Sequence, residues 1–357
     1  MIEEMNQIHA EKVAIDIPSG ISSFDGQVLG TAFHADLTVS FACEKLGTVL
    51  FPGSDYAGEV IPVEIGIGTK LFEENPEVCY TLEKSDLSKF LPDRKKNSHK
   101  GSYGKILMIT GSKGMSGAAY LSARAAYISG GGLVQIYTEE SNRTILQQLL
   151  PEAIVSTYTE YEEEKLQSLL KWADVICIGC GLGKSRTAGQ ILSYLMKYAE
   201  VPCVIDADGL NLLADHMELL PKEKKPFVLT PHMKEMAGLL GCTIPELGKN
   251  RFAALKEFTD SYGVVCALKD ARTLVAGKDR QMFLNTAGNS AMAKAGSGDV
   301  LAGVITGLLA QHMKVYEGTV LGVYLHACGG DAARERRGAY SVLAEDLTEG
   351  IAACIKK

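Results

Sequence analysis

From Lys105 onward the chain alternates between short, continuously apolar runs and helix-patterned segments, and this alternation limits the possible folds more than any other feature. "KILMIT" (105–110), "LVQIYT" (133–138), "DVICIG" (174–179), "PCVIDA" (202–207), "PFVLT" (226–230) and "GVVCALK" (263–269) read as strands. Helical patterns such as "GAAYLSARAAYIS", "GQILSYLMKYA" and "RFAALKEFTDSYG" lie between them. Strands that are apolar throughout, rather than at every second residue, must be covered on both faces. With helices between them, that means a mostly parallel sheet with helices on either side. The last third, from Asp299 to Lys357, reads as largely helical, including the long "EGTVLGVYLHACGGDAARERR".

In an open parallel sheet the ligand sits beyond the carboxyl ends of the strands. Here those ends run into "TGSKGMSG", "IGCGLGKS", "DADGLN", "TPHMKE" and "LKDART". Five polar or glycine-rich loops are therefore expected along one edge, around a nucleotide-sized cleft.

The amino-terminal part differs. Residues 13–67 hold the short β-branched runs "VAIDI", "LTVSF" and "VIPVEIGI", with turn signals "PSG" and "FPGS" between them. Residues 72–99 are charged and weakly periodic, as a connector would be. The 357 residues suffice for two domains. At 46% apolar and 22% charged the composition is that of a soluble globular protein. A net charge of −7, with no basic block beyond "RKK" at 94–96, argues against a nucleic-acid surface. No apolar run is long enough for a membrane span. The polar, acidic start shows no secretory signal, and nine cysteines without zinc-ribbon spacing read as reduced thiols. The expectation is a cytoplasmic protein.

Among the motifs, "IGCGLGKS" ends like a phosphate-binding P-loop but has Ile178 where the first glycine belongs, and it misses the dinucleotide GxGxxG spacing too. A strand-to-helix turn remains as open as a ligand contact. The CxxC of Cys177 and Cys180 reads as a buried strand end rather than a redox pair. In "TPHMKEM", His232 and Glu235 share the first turn of a helix. The pattern is not HExxH, so zinc is not expected. A capping or packing role for His232 competes with a substrate contact, which its loop favours. In "DADGLN", Asp206, Asp208 and Asn211 compete likewise between a capped helix start and a site.

The most specific stretch is "NTAGNSAMAKAGSGDVLAG", residues 285–303. Gly296, Ser297 and Gly298 offer backbone amides at the start of an apolar helix, an anion nest. Asp299 could be a plain N-cap. Yet a carboxylate beside a phosphate nest repels the phosphate unless it has chemical work there, and accepting a proton from an attacking hydroxyl is such work.

Taken together, residues 98–357 resemble the ADP/ATP-dependent NAD(P)H-hydrate dehydratases of the ribokinase-like superfamily. The resemblance rests on "HKGSYGKILMITGS", "SGAAYLSARAAYISGGGLV", "GCGLG", "VIDADGLNLL", "LTPHMKEM" and "GNSAMAKAGSGDVLAG". It implies a ribokinase-like three-layer α/β sandwich with a mostly parallel central sheet. The implied reaction repairs NADHX or NADPHX, the hydrated cofactors, by phosphorylating the ring hydroxyl at the expense of ADP or ATP and then eliminating phosphate. Asp299 would be the base and Gly296, Ser297 and Gly298 the anion hole. Ala118, Gly183, His232 and Asp299 would contact the hydrate. Lys269, Asp270, Ala271, Arg272 and Thr273, with Gly298, would lie along the nucleotide. Asp206, Asn211, Glu235 and Asn289 are supporting candidates. Mg2+ would arrive with the nucleotide, with no dedicated metal cage, and a homo-oligomer is expected. The sequence departs from the family at Asp270, where "LKGA" has glycine, at "GCGLG" for "GPGLG", at "GNSAMA" for "GNPGMA", and at Ala295-Gly296 for a double glycine.

Residues 13–67 resemble the closing portion of the NAD(P)H-hydrate epimerase domain, through "VAIDIPSGISSFDGQVLG", "ADLTVSFACEKLG" and "GEVIPVEIGI". The expected organisation is an incomplete epimerase-like α/β remnant (1–70), a connector (71–97) and the dehydratase domain (98–357). Asp16 and Ser19 match a substrate and a potassium contact of that family, here without their partners, so no epimerase activity is expected. The remnant's strands are expected to lack sheet neighbours. Two other functions fit the same residues: a small-molecule kinase acting on a sugar or vitamin alcohol, and a nucleotide-binding scaffold without turnover.

Overall fold

The apolar runs that follow Lys105 are the spine of one sheet in the computed structural model, which describes residues 1–68, 70–73, 75, 78–220 and 225–356. The chain forms two units, Met1–Val78 and Cys79–Lys357.

In the second unit the strands are β4 (Lys105–Ile109), β5 (Leu133–Glu139), β6 (Ile154–Tyr158), β7 (Val175–Ile178), β8 (Cys203–Ile205), β9 (Phe227–Leu229), β10 (Val265–Leu268), β11 (Leu274–Gly277) and β12 (Phe283–Leu284). Their order across the sheet is β12-β11-β10-β9-β8-β7-β4-β5-β6. Every pairing from β6 through β10 is parallel, and β11 and β12 close one edge antiparallel. The six expected strands are β4, β5 and β7–β10. Ile106 to Ile109 and Val175 to Ile178 are buried at every position, as a sheet covered on both faces demands. The order doubles back at β4, which lies between β5 and β7, so the crossovers lay helices on both faces.

The helix Ser116–Ile128 owes its close seat to small residues. It packs on the helix Ser297–Leu309, where a Cβ on Gly303 would lie 2.1 Å from the Ser122 carbonyl oxygen. The stretch read as a connector contributes to this unit. Tyr80 donates its amide to Met282 and accepts from Leu284, and Leu82 and Leu87 are buried in the core. Residues 74, 76 and 77 of that stretch are outside the described residues.

The first unit has its own parallel sheet, β1 (Val13–Ile15), β2 (Leu37–Phe41) and β3 (Glu59–Val63), in sequence order. This corrects the expectation that these strands lack sheet neighbours: they pair with one another, with Val13 opposite Leu37 and Leu37 opposite Glu59. Val13 and Ile15 on the edge strand remain largely exposed. Asp16 sits at φ 66°, and its carboxylate accepts from the Phe41 amide at 3.0 Å and from Lys45. The Lys45 ammonium holds that carboxyl below its ordinary range. Ser19 contributes its carbonyl oxygen to the Phe33 amide. Among the described residues no helix is long and apolar enough to cross a membrane.

Candidate active site

Parallel strands send their carboxyl ends in one direction, so the loops after β4, β7, β8, β9 and β10 share one edge of the sheet. Three of them converge on Asp206. Its side chain is 1% exposed, and Oδ1 accepts from Lys269 Nζ at 2.5 Å and from Thr230 Oγ1 at 2.7 Å. Oδ2 is 3.8 Å from Cys180 Sγ. A buried carboxylate is tolerated only when paired and hydrogen-bonded, and each of these partners comes from a different strand end. For Lys269, burial opposes the ammonium form. The neighbouring Asp206 and Glu235 carboxylates outweigh it, so its pKa is raised and it is a fixed cation.

The backbone around Asp206 is tightly constrained. Gly179, at φ 120°, is so close that a Cβ there would fall 1.9 Å from the Asp206 carbonyl oxygen. Ala207 adopts φ 50°, ψ −116°, an uncommon conformation for a residue with a side chain.

Asp299 faces this group from the first turn of the helix Ser297–Leu309. The ligand atoms of Cys180, Asp206 and Asp299 all lie within 4.8 Å of one another. Burial, reinforced by the negative charge of Asp206, raises the Asp299 pKa to about 6, against the opposing effects of Cys180 and Lys269. Gly296, at φ 90°, is the N-cap. A Cβ there would meet Leu121 Cδ1 at 2.6 Å, so the turn requires glycine. The Ser297 amide is committed to the Lys294 carbonyl oxygen at 3.3 Å. Gly298 and Asp299 hold the next amides, which have no acceptor within the helix. A Cβ on Gly298 would project to 3.4 Å from Lys269 Nζ and 3.7 Å from Asp206 Oδ2. Its absence leaves open the space between the helix start and the Lys269–Asp206 pair. The arrangement combines a base, helix-terminal amides and a fixed ammonium, the parts needed to deprotonate a hydroxyl beside an anionic group.

The remaining sequence-predicted residues divide. Gly183 donates its amide to Asp208 Oδ2 at 2.8 Å, and Asp208 is close enough to raise the Asp299 pKa further. Ala118 is buried where a Cβ on Gly181 would strike its own at 2.8 Å, tying the helix after β4 to the Gly179–Gly183 loop. His232 is the N-cap of the helix Met233–Leu240: Nδ1 accepts from the Glu235 amide at 3.0 Å, and Glu235 Oε2 accepts from the His232 amide at 2.8 Å. The imidazole is nonetheless 51% exposed. Glu235 is buried and its carboxyl is raised by that burial, with Lys269 opposing. Asn211 returns its amide to the Ala207 carbonyl oxygen.

Four predicted residues spend their side chains elsewhere. Asp270 pairs with Arg251 at 3.0 Å and accepts from the Ala271 amide, Arg272 donates to the Thr286 carbonyl oxygen, and Asn289 donates to Asp331. Thr273 bonds back to the Asp270 carbonyl oxygen.

Sequence reasoning did not single out Thr230 or His326, and it read Cys180 as part of a buried strand end rather than as a site residue. The further signal for Cys180 was its place in "GCGLG", where the family has proline. His326, on the helix Val315–Arg337, is buried and its pKa is lowered to about 4 by that burial. Its Nε2 lies 3.4 Å from Ser297 Oγ.

The sheet and its helix layers are those of a ribokinase-like α/β protein. A ribokinase-like protein from Enterococcus faecalis superposes with a TM-score of 0.69, at 31% identity over 76% of this chain and 94% of that one. Within that class, residues 106–353 match the NAD(P)H-hydrate dehydratase family model, and the chain belongs to that family. Residues 1–47 match the YjeF-related protein N-terminus. The bifunctional NAD(P)H-hydrate repair enzyme of Moorella thermoacetica is 37% identical over 98% of this chain and 67% of its own length. A Bacillus subtilis ADP/ATP-dependent NAD(P)H-hydrate dehydratase, crystallised with ATP and Mg2+, superposes with a TM-score of 0.66 at 30% identity, covering 76% of this chain and 96% of that one.

Proposed function

We propose that the protein restores hydrated NADH or NADPH by transferring a phosphoryl group from ADP or ATP to the ring hydroxyl, after which phosphate is eliminated. The observation that carries this reading is Asp299, a carboxyl titrating near 6 at the start of a glycine-opened helix, beside an ammonium held by a buried carboxylate. Above pH 6 Asp299 is ionised and accepts the hydroxyl proton as the oxygen attacks phosphorus. The Gly298 and Asp299 amides and the Lys269 ammonium stabilise charge on the phosphoryl oxygens. Hydroxide leaves poorly and phosphate leaves well. The ring nitrogen's lone pair expels phosphate, and the loss of the neighbouring proton restores the double bond.

The residues present fit a Mg2+ ion held mainly by nucleotide phosphates. Asp206 and Asp299 offer two carboxylates, with one Asp206 oxygen already on Lys269, and the Cys180 thiol is a poor ligand for so hard a cation. Such an ion would neutralise phosphate charge. Gly183 and His232 are assigned to the hydrate, and the Lys269–Thr273 loop to the nucleotide. Asp270 need not repel that nucleotide, because Arg251 neutralises it.

The nine cysteines, all free, support a cytoplasmic setting. The proposed homo-oligomer is checked by light scattering. The test of function is incubation with NADH hydrate, Mg2+ and either nucleotide while nicotinamide absorbance is followed. Recovery is expected. No recovery with either nucleotide, together with phosphorylation of an added alcohol, would favour a kinase instead.

A further inference from the structure

Cys180 stands where the family has proline, and the chemistry above makes no use of its thiol. Its Sγ lies 3.8 Å from Asp206 Oδ2, and Cys180 Sγ, a carboxylate oxygen of Asp206 and one of Asp299 are all within 4.8 Å of one another. Cys180 and Asp206 are buried, and Asp299 is half-buried.

The two oxygens of Asp206 are unequally satisfied. Oδ1 accepts from both Lys269 and Thr230. Oδ2 has only the Cys180 thiol among the described residues. A thiol is a weak donor, so this buried carboxylate oxygen is left short of a partner, and it faces the other two ligand atoms.

The donor set indicates what would satisfy it. A tetrahedral Zn2+ bound by one sulfur and two oxygens holds S···O near about 3.6 Å and O···O near about 3.4 Å. The Cys180–Asp206 separation of 3.8 Å is already close to that. The Asp299 oxygen, at most 4.8 Å away, needs to close by no more than about 1.4 Å. A fourth position remains for water or a phosphate oxygen. The charge suits a divalent cation too: Asp206 and Asp208 both act on Asp299, with the Lys269 ammonium opposing them. A thiolate beside carboxylates favours Zn2+ or Co2+ over the harder Mg2+.

We propose that Cys180, Asp206 and Asp299 form a site for a borderline-soft divalent cation, Zn2+ above all, whose binding switches the enzyme off. The Cys180 S–H gives its proton to solvent as the S–Zn bond forms. The Asp299 oxygen that takes the hydroxyl proton instead gives its lone pair to the metal. The loss of turnover rests on the dehydratase reading; the binding of the metal does not.

The test uses the full chain and its Cys180→Ala variant. Free Zn2+, set by a metal buffer with Mg2+ and nucleotide saturating, should inhibit wild type, and EDTA should restore its rate. The Zn2+ concentration for half-inhibition should be on the order of 100-fold higher in Cys180→Ala. Equal sensitivity of the two proteins overturns the assignment. Titration with Co2+ reads the site without turnover: wild type should show thiolate-to-cobalt absorption and tetrahedral cobalt bands, and Cys180→Ala should lack both. Absence of these bands in wild type, or their persistence in the variant, overturns the site. Asp299→Asn should keep the thiolate band but bind Co2+ at least about tenfold more weakly, and unchanged affinity there overturns the site as well. If wild type does not turn over the hydrate, the function reading has failed, and the Co2+ titrations still decide on the site.

Discussion

Replacing Asp299 with asparagine should abolish turnover and at the same time stabilise the protein, in a manner that depends on pH. Burial, and secondarily Asp206, raise the carboxyl from its ordinary 3.8 to about 6. A folded-state value above the unfolded one means that the native protein binds the proton more tightly. The contribution of this group to stability is therefore fully present below pH 3.8 and is lost as pH rises through 6. The displacement corresponds to about 3 kcal/mol, the cost of keeping the charged form in the folded site at pH 8. An amide of the same shape has no such cost.

The variant should then be more stable than wild type by about 3 kcal/mol at pH 8 and by about half that at pH 5. Urea unfolding followed by tryptophan fluorescence measures this in the right unit, because the single tryptophan, Trp172, ends the helix Glu163–Trp172 of the second unit. Activity should fall by about 10²- to 10⁴-fold, the contribution of a positioned base. A stability difference that is the same at pH 5 and pH 8, or of opposite sign, would refute the claim that the site holds a desolvated carboxyl against other negative charge.

The wild-type kcat/KM should rise with pH through about 6 and level off above it, as read from a pH–rate profile, because the base must be ionised. Asp206→Asn should move that acid limb to lower pH and Cys180→Ala should move it higher, since Asp206 raises and Cys180 lowers the Asp299 value. The first change should also cost about 3 kcal/mol in urea unfolding, because it strips Lys269 of its buried partner. Gly179→Ala should prevent accumulation of folded protein, or cost more than about 3 kcal/mol, since its Cβ would fall within 1.9 Å of a carbonyl oxygen at φ 120°. Circular dichroism of the purified variant checks it.

Six of the parallel strands were legible because most of them, β7–β10 above all, are apolar along nearly their whole length and alternate with helical patterns, as in a sheet covered on both faces. β6 was not read because Ile154–Tyr158 lies at the sheet edge, is partly exposed and mixes Ser and Thr with Ile and Val. β11 and β12 are too short for periodicity to register, and they pair antiparallel with neighbours that the local pattern cannot supply. The same limit explains Tyr80 and Leu82: a charged segment reads as connector until the strand it joins, β12, is in place.

At the site, the sequence marks which loops meet but not which side chains pair within them. Asp299 stands out because one acid among glycines at a helix start is locally unusual. Lys269 reads locally as one more cation on a nucleotide loop. Only when β8 and β10 flank β9 does its ammonium reach Asp206, with Thr230 from β9 closing the same carboxylate. That pair has a consequence for the chemistry. Burial is the larger cause of the raised Asp299 value, and Asp206, by fixing a negative charge beside it, adds to that rise; by fixing Lys269 it keeps a positive charge where phosphoryl oxygens would lie. A carboxylate that never touches the proton in flight thus adds to the strength of the base and fixes the position of the cation. No local motif could announce it, because its partners lie 24 and 63 residues away.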